Sequence, residues 1–327
     1  MELVCPAGTP ATLRAAVEAG ADAVYCGFRD DTNARNFPGL NFSPDELAEG
    51  ARFAHGHGAK VLVAINTFAR VGETDRWRAA ADTAVRCGAD AVIAADLAVL
   101  EHMARAHPDV RLHLSVQAAA ATPEAIAFYA EAFGVRRVVL PRVLSVQEIA
   151  ALNRAISVET EVFIFGGLCV MMEGRCYLSS YATGKSPNLN GVCSPPEFVD
   201  YAETVHGTTA RLASFSIDRY APGAPAGYPT LCKGRFRAGG QESYLFEDPV
   251  SLNAGSMLPA LKAAGVTALK IEGRQRGKGY VSDVVRSFRR AVDAVEAGGG
   301  AVEIDRLLAG QSEGGRQTTG AYRKSWR

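Results

Sequence analysis

Three stretches of this chain use nearly the same wording. Ala16-Val-Glu-Ala-Gly-Ala-Asp-Ala-Val24 is matched by Ala84-Val-Arg-Cys-Gly-Ala-Asp-Ala-Val92, and Leu261-Lys-Ala-Ala-Gly-Val-Thr-Ala-Leu269 echoes both. Each reads as a helix end, a glycine stop and the start of a buried strand. A unit that ends a helix and begins a strand, used repeatedly, constrains the chain to alternate the two. Eight strands follow from that pattern: Glu2–Cys5, Ala23–Cys26, Lys60–Asn66, Ala91–Ala95, Leu112–Val116, Arg137–Leu140, Glu161–Phe165 and Ala268–Glu272. Helical patterns fill most gaps between them, among them Thr9–Glu18, Pro44–His55, Thr74–Cys87, Pro123–Phe133, Ser145–Ala155 and Ser282–Ala297. Eight strand–helix copies predict an α/β fold, a TIM-like (β/α)8 barrel. An open doubly wound sheet is the alternative, but no Gly-x-Gly-x-x-Gly follows the first strand, which disfavours a dinucleotide-binding domain.

One gap breaks the rhythm. Between strands seven and eight lie about 90 residues rich in glycine, proline and serine, longer than a compact domain tolerates without a functional reason. The chain therefore reads as a single domain, 1–327, with barrel segments 1–165 and 256–297. A long irregular insertion spans 166–255, and a polar tail spans 298–327. In a barrel such an insertion leaves from the C-terminal end of a strand, the face where these folds do chemistry.

Four of the seven cysteines fall in this insertion: Cys169, Cys176, Cys193 and Cys232. Their spacing is neither a zinc knuckle nor a ferredoxin run. Spacing alone leaves open a metal centre or scattered structural thiols, and it does not separate zinc from iron–sulfur. Cys5, Cys26 and Cys87 sit in apolar strands or a helix end and read as small buried residues. An odd cysteine count and no secretory leader point to a reducing, cytoplasmic setting without a disulfide framework. No apolar run is long enough to span a bilayer, so an integral membrane protein is not expected. Lys+Arg and Asp+Glu both number 35. That zero balance argues against DNA or a dominant nucleic-acid surface, though not against a local basic patch.

The chain has no His-Glu-x-x-His, Gly-x-Ser-x-Gly or Walker loop, so peptidase, esterase and nucleotide chemistry lack their usual residues. His55 and His57 read as helix-end or surface groups. Polar residues at strand ends are the remaining candidates: Asn66, Ser115 and Gln117 with His113 before them, Arg142, and then Lys270, Glu272 and Arg274. Cations and amides at one mouth suit an anionic ligand. The competing reading is that they satisfy the backbone or one another.

The run from Glu161 to Ser179 resembles the signature of the collagenase-like "peptidase" family: Glu-x-Phe-x-x-Gly-small-aliphatic-Cys-x4-Gly-x-Cys-x-aliphatic-Ser. Gly167 stands where that family usually has Ser or Ala. Further stretches resemble the ubiquinone-biosynthesis branch of the family from end to end. They are Met1-Glu-Leu-Val-Cys-Pro-Ala-Gly, Asp30-Asp-Thr-Asn-Ala-Arg, Gly39-Leu-Asn-Phe, Ile65-Asn-Thr-Phe, Arg137-Val-Val-Leu-Pro-Arg-Val-Leu-Ser, Gly227-Tyr-Pro-Thr-Leu-Cys-Lys-Gly-Arg235, Lys270-Ile-Glu-Gly-Arg-Gln-Arg and Thr318-Thr-Gly-Ala-Tyr.

The resemblance implies an oxygen-sensitive [4Fe-4S] cluster on Cys169, Cys176, Cys193 and Cys232, and a heterodimer with a UbiV-like sister protein. It also implies hydroxylation of the aromatic ring of a ubiquinone precursor without molecular oxygen, with prephenate as oxygen donor. Prephenate is a dicarboxylate, and Arg142, Lys270 and Arg274 are the residues expected to receive it. Other members hydroxylate RNA bases, so an RNA-base hydroxylase is an alternative. A non-catalytic iron–sulfur or electron-transfer subunit is another.

Overall fold

A computed structural model describes residues 1–187, 192–302, 304–312 and 316–323. The first half alternates strictly: β1 (Glu2–Pro6), α1 (Pro10–Glu18), β2 (Ala23–Cys26), α2 (Pro44–Gly56), β3 (Lys60–Ile65), α3 (Thr74–Arg86), β4 (Ala91–Ala94), α4 (Leu97–Ala106), β5 (Arg111–Leu114), α5 (Pro123–Phe133), β6 (Arg137–Val139), α6 (Val146–Ala155) and β7 (Glu159–Gly167). All neighbours in this series pair in parallel. A later strand, Ala268–Ile271, pairs in parallel with both β1 and β7 and closes the barrel. The TIM-like barrel expected from the sequence is the observed fold.

Local chemistry explains why the repeated words work. Gly20, Gly88 and Gly265 end their helices at φ +101°, +91° and +83°, where a side chain would be strained. The aspartate two residues on then turns back: Asp22 Oδ2 accepts the Leu3 N–H at 2.6 Å, and Asp90 Oδ2 accepts the Val61 N–H at 2.7 Å. In the third copy Thr267 donates its hydroxyl to the Thr160 carbonyl at 2.9 Å. The word is thus a clamp that fixes each incoming strand to its neighbour. Helix starts are equally explicit. Thr9, Ser43 and Ser145 each close a capping box on α1, α2 and α6.

Strand residues alternate between two surroundings. Those facing outward (Leu3, Cys5, Val24, Cys26, Val61, Val63, Val92, Leu114, Leu269) pack with the helices into the main core. Cys5 and Cys26 are fully buried there, as expected of structural thiols, and burial pushes the Cys26 thiol up to about 12. Inside the barrel, Val4, Ala23, Leu62, Ala64, Ala91, Ile93 and Ala268 surround the Tyr25 ring.

The stretch expected to be irregular carries regular structure. After β7 come α7 (Leu178–Thr183), then β8 (Val199–Thr204), β9 (Gly207–Leu212) and β10 (Phe215–Tyr220) as an antiparallel meander, then a hairpin of β11 (Arg235–Ala238) and β12 (Gln241–Tyr244). β7 overhangs the barrel by running on to Gly167. β13 (Ser251–Asn253) pairs antiparallel with this overhang, Ser251 opposite Gly167 and Asn253 opposite Phe165. The chain then passes through α8 (Leu258–Ala263) to β14 (Ala268–Ile271) and α9 (Lys278–Glu296), followed by α10 (Asp305–Leu308) and β15 (Gln317–Thr318).

The tail, expected to be merely polar, docks. β15 pairs with β13, Ile304 and Leu308 join the core, and the Tyr322 hydroxyl donates to the Phe163 carbonyl at 2.5 Å. Among the described residues, no helix is long and apolar enough to cross a membrane.

Candidate active site at the barrel mouth

The inward-facing charges form two layers. The lower one is built on Glu161, which is fully buried. Lys270 Nζ donates to Glu161 Oε1 at 2.5 Å, and Arg137 reaches Glu161, Glu159 and Glu2. Burial draws the Lys270 ammonium below its usual range despite Glu161. His113 lies in the same interior, where burial and then Arg137 hold it well below the usual imidazole range, and so neutral. Lys270, expected at the rim, therefore sits one layer down with its charge matched.

The upper layer lies at the C-terminal mouth. Glu272 bridges two guanidiniums, with Oε1 2.9 Å from Arg35 and Oε2 2.6 Å from Arg142. Arg142 also pairs with Glu173 and stacks 3.5 Å from the centroid of Phe163. Burial opposes the Arg142 charge, yet Glu272 and Glu173 hold its pKa above the ordinary arginine value. The two carboxylates part company. Burial opposes ionisation of Glu272, but Arg142 and Arg35 keep it below the usual range; at Glu173 burial wins and the pKa is raised. Gly167 leaves room for this cluster, since a Cβ there would lie 2.9 Å from Glu272 Oε2.

Asn66 turns away from this pair. Its Oδ1 accepts the Ala34 N–H at 3.0 Å, bracing the loop that carries Arg35. Gln117 keeps a buried Oε1 without a partner among the described residues, and its backbone carbonyl lies against Gly174. Sequence reasoning singled out neither Arg35 nor Glu173, although both lie inside stretches that carry the family resemblance.

The four insertion cysteines gather over this mouth as free thiols. Cys169 leaves the end of β7, Cys176 precedes α7, Cys193 follows it, and Cys232 sits in the short turn Leu231–Lys233. Their charges are mutually felt. Ionisation of Cys169 is opposed first by burial and also by Cys193, and that of Cys193 by burial and Cys176. Burial, then Cys193, and more weakly Cys176, push Cys232 up to about 11. Nearby cations work the other way: Arg142 on Cys169, Arg35 and Lys233 on Cys193, Lys233 on Cys232. Two hydrogen bonds tie the Cys193 and Cys232 segments together, Ser194 Oγ to the Pro229 carbonyl at 2.7 Å and Tyr228 Oη to the Ser194 carbonyl at 2.9 Å. Cys193 is exposed, and its chain neighbour Val192 lines the adjoining cavity.

Beside it a cavity of about 450 Å³ opens between the β2–α2 loop, the β3–α3 loop and the insertion, walled by Asn33, Phe37, Phe68, Trp77, Val192 and Pro195. Trp77 Nε1 donates to Thr67 Oγ1, which donates to the Asp31 carbonyl, so the two loops are fixed to each other.

A parallel (β/α)8 barrel with polar groups and thiols on its C-terminal rim has the architecture of a barrel enzyme. The chain belongs to peptidase family U32, whose profile matches residues 8–319. It is similar to tRNA hydroxylation protein P1 of Bacillus subtilis, 33% identical over 90% of this chain and 63% of that protein. It is also similar to the 23S rRNA 5-hydroxycytidine C2501 synthase of Escherichia coli, 30% identical over 96% of this chain and 42% of that protein. A third relative, tRNA hydroxylation protein P of Escherichia coli, is 30% identical over 91% of this chain and 69% of that protein. The chain thus spans less than two thirds of the length of the first two relatives.

Proposed function

We propose that this chain is a UbiU-like iron–sulfur subunit of an oxygen-independent hydroxylase, working as a heterodimer with a UbiV-like partner on the aromatic ring of a ubiquinone precursor, with prephenate as oxygen donor. The observation that carries this reading is the gathering of four free thiols at one barrel mouth beside an aromatic-walled cavity.

The donor set fits a cluster better than a single ion. A tetrahedral zinc with Zn–S of ~2.3 Å would draw its sulfurs to within ~4 Å of one another. Among the described residues, the one group that brings three ligand atoms within 4.8 Å is Asp82, His102 and His107, not the cysteines. Four thiols held wider apart, with Arg142 near Cys169, Arg35 and Lys233 near Cys193 and Lys233 near Cys232, suit a [4Fe-4S] centre on Cys169, Cys176, Cys193 and Cys232. Bound there, such a centre would supply electron exchange at the edge of the cavity. The chain's own residues do the rest. Arg142, Arg35 and Lys233 ease deprotonation of Cys169, Cys193 and Cys232, Glu272 and Glu173 fix Arg142, and Phe37 and Phe68 wall the cavity in which an aromatic substrate would stack.

Relatives named for RNA hydroxylation favour a second reading in which the ring is an RNA base. The zero net charge favours the small precursor. The test is anaerobic turnover by the purified complex, supplied in parallel with ubiquinone precursor and with unmodified RNA and read by mass. Hydroxylated precursor upholds the reading. Hydroxylated RNA alone transfers the site to the second one, and zinc in place of iron and sulfide removes both.

A further inference from the structure

Of the three cations expected to receive an anion, two are already neutralised. Arg142 is held by Glu173 and Glu272, and Lys270 by Glu161. Arg274 is different. It is 7% exposed, and among the described residues no carboxylate pairs with it. Among the described residues its one side-chain hydrogen bond runs from Nη1 to Asn33 Oδ1 at 2.7 Å, and its guanidinium lies over the Tyr25 ring, 5.4 Å from the centroid. A guanidinium has five N–H donors, and a buried one without a countercharge is expensive to keep.

The surroundings hold this residue in place. Its backbone carbonyl lies against Gly8, where a Cβ would stand 1.8 Å away. Asn33 is itself buried. Its Nδ2 donates to the Phe28 carbonyl, and its Oδ1 also accepts the Arg35 N–H at 3.1 Å. Gly27 makes room for it, since a Cβ there would come within 2.4 Å of the Asn33 side chain. Asn33 also walls the 450 Å³ cavity, so the guanidinium is anchored from the cavity side.

We propose that Arg274 is the seat for one carboxylate of a small organic acid, with Asn33 and Tyr25 as the residues that position its guanidinium fork. The planar fork matches a carboxylate in two parallel hydrogen bonds. Its depth within the mouth admits a small molecule rather than the backbone phosphates of a folded RNA. Burial, with the neighbouring Arg35, outweighs the favourable Tyr25 and the weaker pull of Glu272 and draws the Arg274 pKa down to about 10, consistent with a cation that no carboxylate pairs directly. This inference rests on the mouth being the substrate site, and it is tested without turnover so that the two fail separately.

The experiment is calorimetric titration of malonate, and separately of inorganic phosphate, into protein purified without air with its iron intact. Malonate is expected to bind, and R274Q to weaken it at least tenfold with iron content and melting temperature unchanged. R274K should recover part of the loss, because it restores charge but not the fork. K270M, which removes an already neutralised charge, should leave affinity within about twofold once corrected for any loss of folded protein. No malonate binding to the wild type, equal binding by R274Q, or phosphate binding as tight as malonate would each overturn the assignment. If R274Q does not fold, N33A decides: a threefold or greater loss of affinity upholds it, and unchanged affinity overturns it. Malonate binding that depends on Arg274 in a protein that hydroxylates nothing would leave this site standing and remove the hydroxylase reading.

Discussion

The barrel and its insertion satisfy their side chains by different means. In the barrel, outward strand faces and helices share one apolar core, and the buried charges Glu161, Lys270, Arg137 and Arg142 all have partners. Among the described residues, the insertion instead carries nine of the twelve exposed large apolar side chains, Tyr177, Leu178, Tyr181, Tyr201, Val205, Phe215, Tyr228, Leu245 and Phe246. Its thiols crowd one another at a cost in ionisation. One region is complete as a folded object. The other leaves apolar faces and thiols uncovered, and on the proposed function its stability should track what those thiols hold.

The sharpest test of that contrast is Cys176→Ala. Iron should fall from about four per chain to near none. Limited proteolysis should then cut within 166–255 while the barrel's far-ultraviolet dichroism persists. Cleavage spread evenly over the chain would erase the distinction. Next comes Glu161→Ala, which strands Lys270 in the barrel interior. Urea unfolding should show a loss of about 3–5 kcal/mol, and the paired change Glu161→Leu with Lys270→Met should recover most of it.

A smaller effect is expected at the seam between the regions. Gly174 has φ +76°, and a Cβ there would lie 1.9 Å from the Gln117 carbonyl. Gly174→Ala should therefore introduce strain of about 1–3 kcal/mol. Iron retention should drop several-fold, with the barrel's melting point little changed.

The mildest test is acid. Glu272 titrates below the ordinary carboxylate value, so the stability it contributes is present above about pH 4.3 and lost as pH falls through its lowered folded value. Glu173 titrates above it, so its contribution is present below that pH and lost as pH rises through its raised value. Glu272→Gln should thus lower the melting temperature more at pH 7 than at pH 3.5. Glu173→Gln should shift with pH in the opposite sense, its melting temperature rising relative to the wild type as pH climbs toward the raised Glu173 value.

Much of the barrel was legible because its strands are short runs of small and β-branched residues punctuated by glycine, and because the Gly-Ala-Asp word repeats a clamp that each strand needs. The rest was hidden for physical reasons. Lys270, Glu272 and Arg274 share one face by the two-residue period, but alternation gives a side and not a depth. Nothing in the run Leu-Lys-Ile-Glu-Gly-Arg places Lys270 below the rim, and its partner Glu161 lies more than a hundred positions earlier. The insertion's strands escaped because Val199–Thr204 and Phe215–Tyr220 bury little and alternate weakly. The tail's docking turns on Tyr322 and two aliphatic residues, too few to stand out in a polar segment. The cysteines were visible as a group, but their convergence needed the fold.

The pairing of β13 with the overhang of β7 has a separate consequence. The insertion departs at Gly167 and returns opposite that same residue at Ser251. The entropy of closing this long excursion is therefore met at a single ladder of two strand ends, outside the hydrogen-bonded ring of the eight barrel strands. Such an excursion is topologically a cassette. It can lengthen, shorten or be exchanged between relatives without altering the barrel's register, so the scaffold and the thiol-bearing part are free to diverge at different rates.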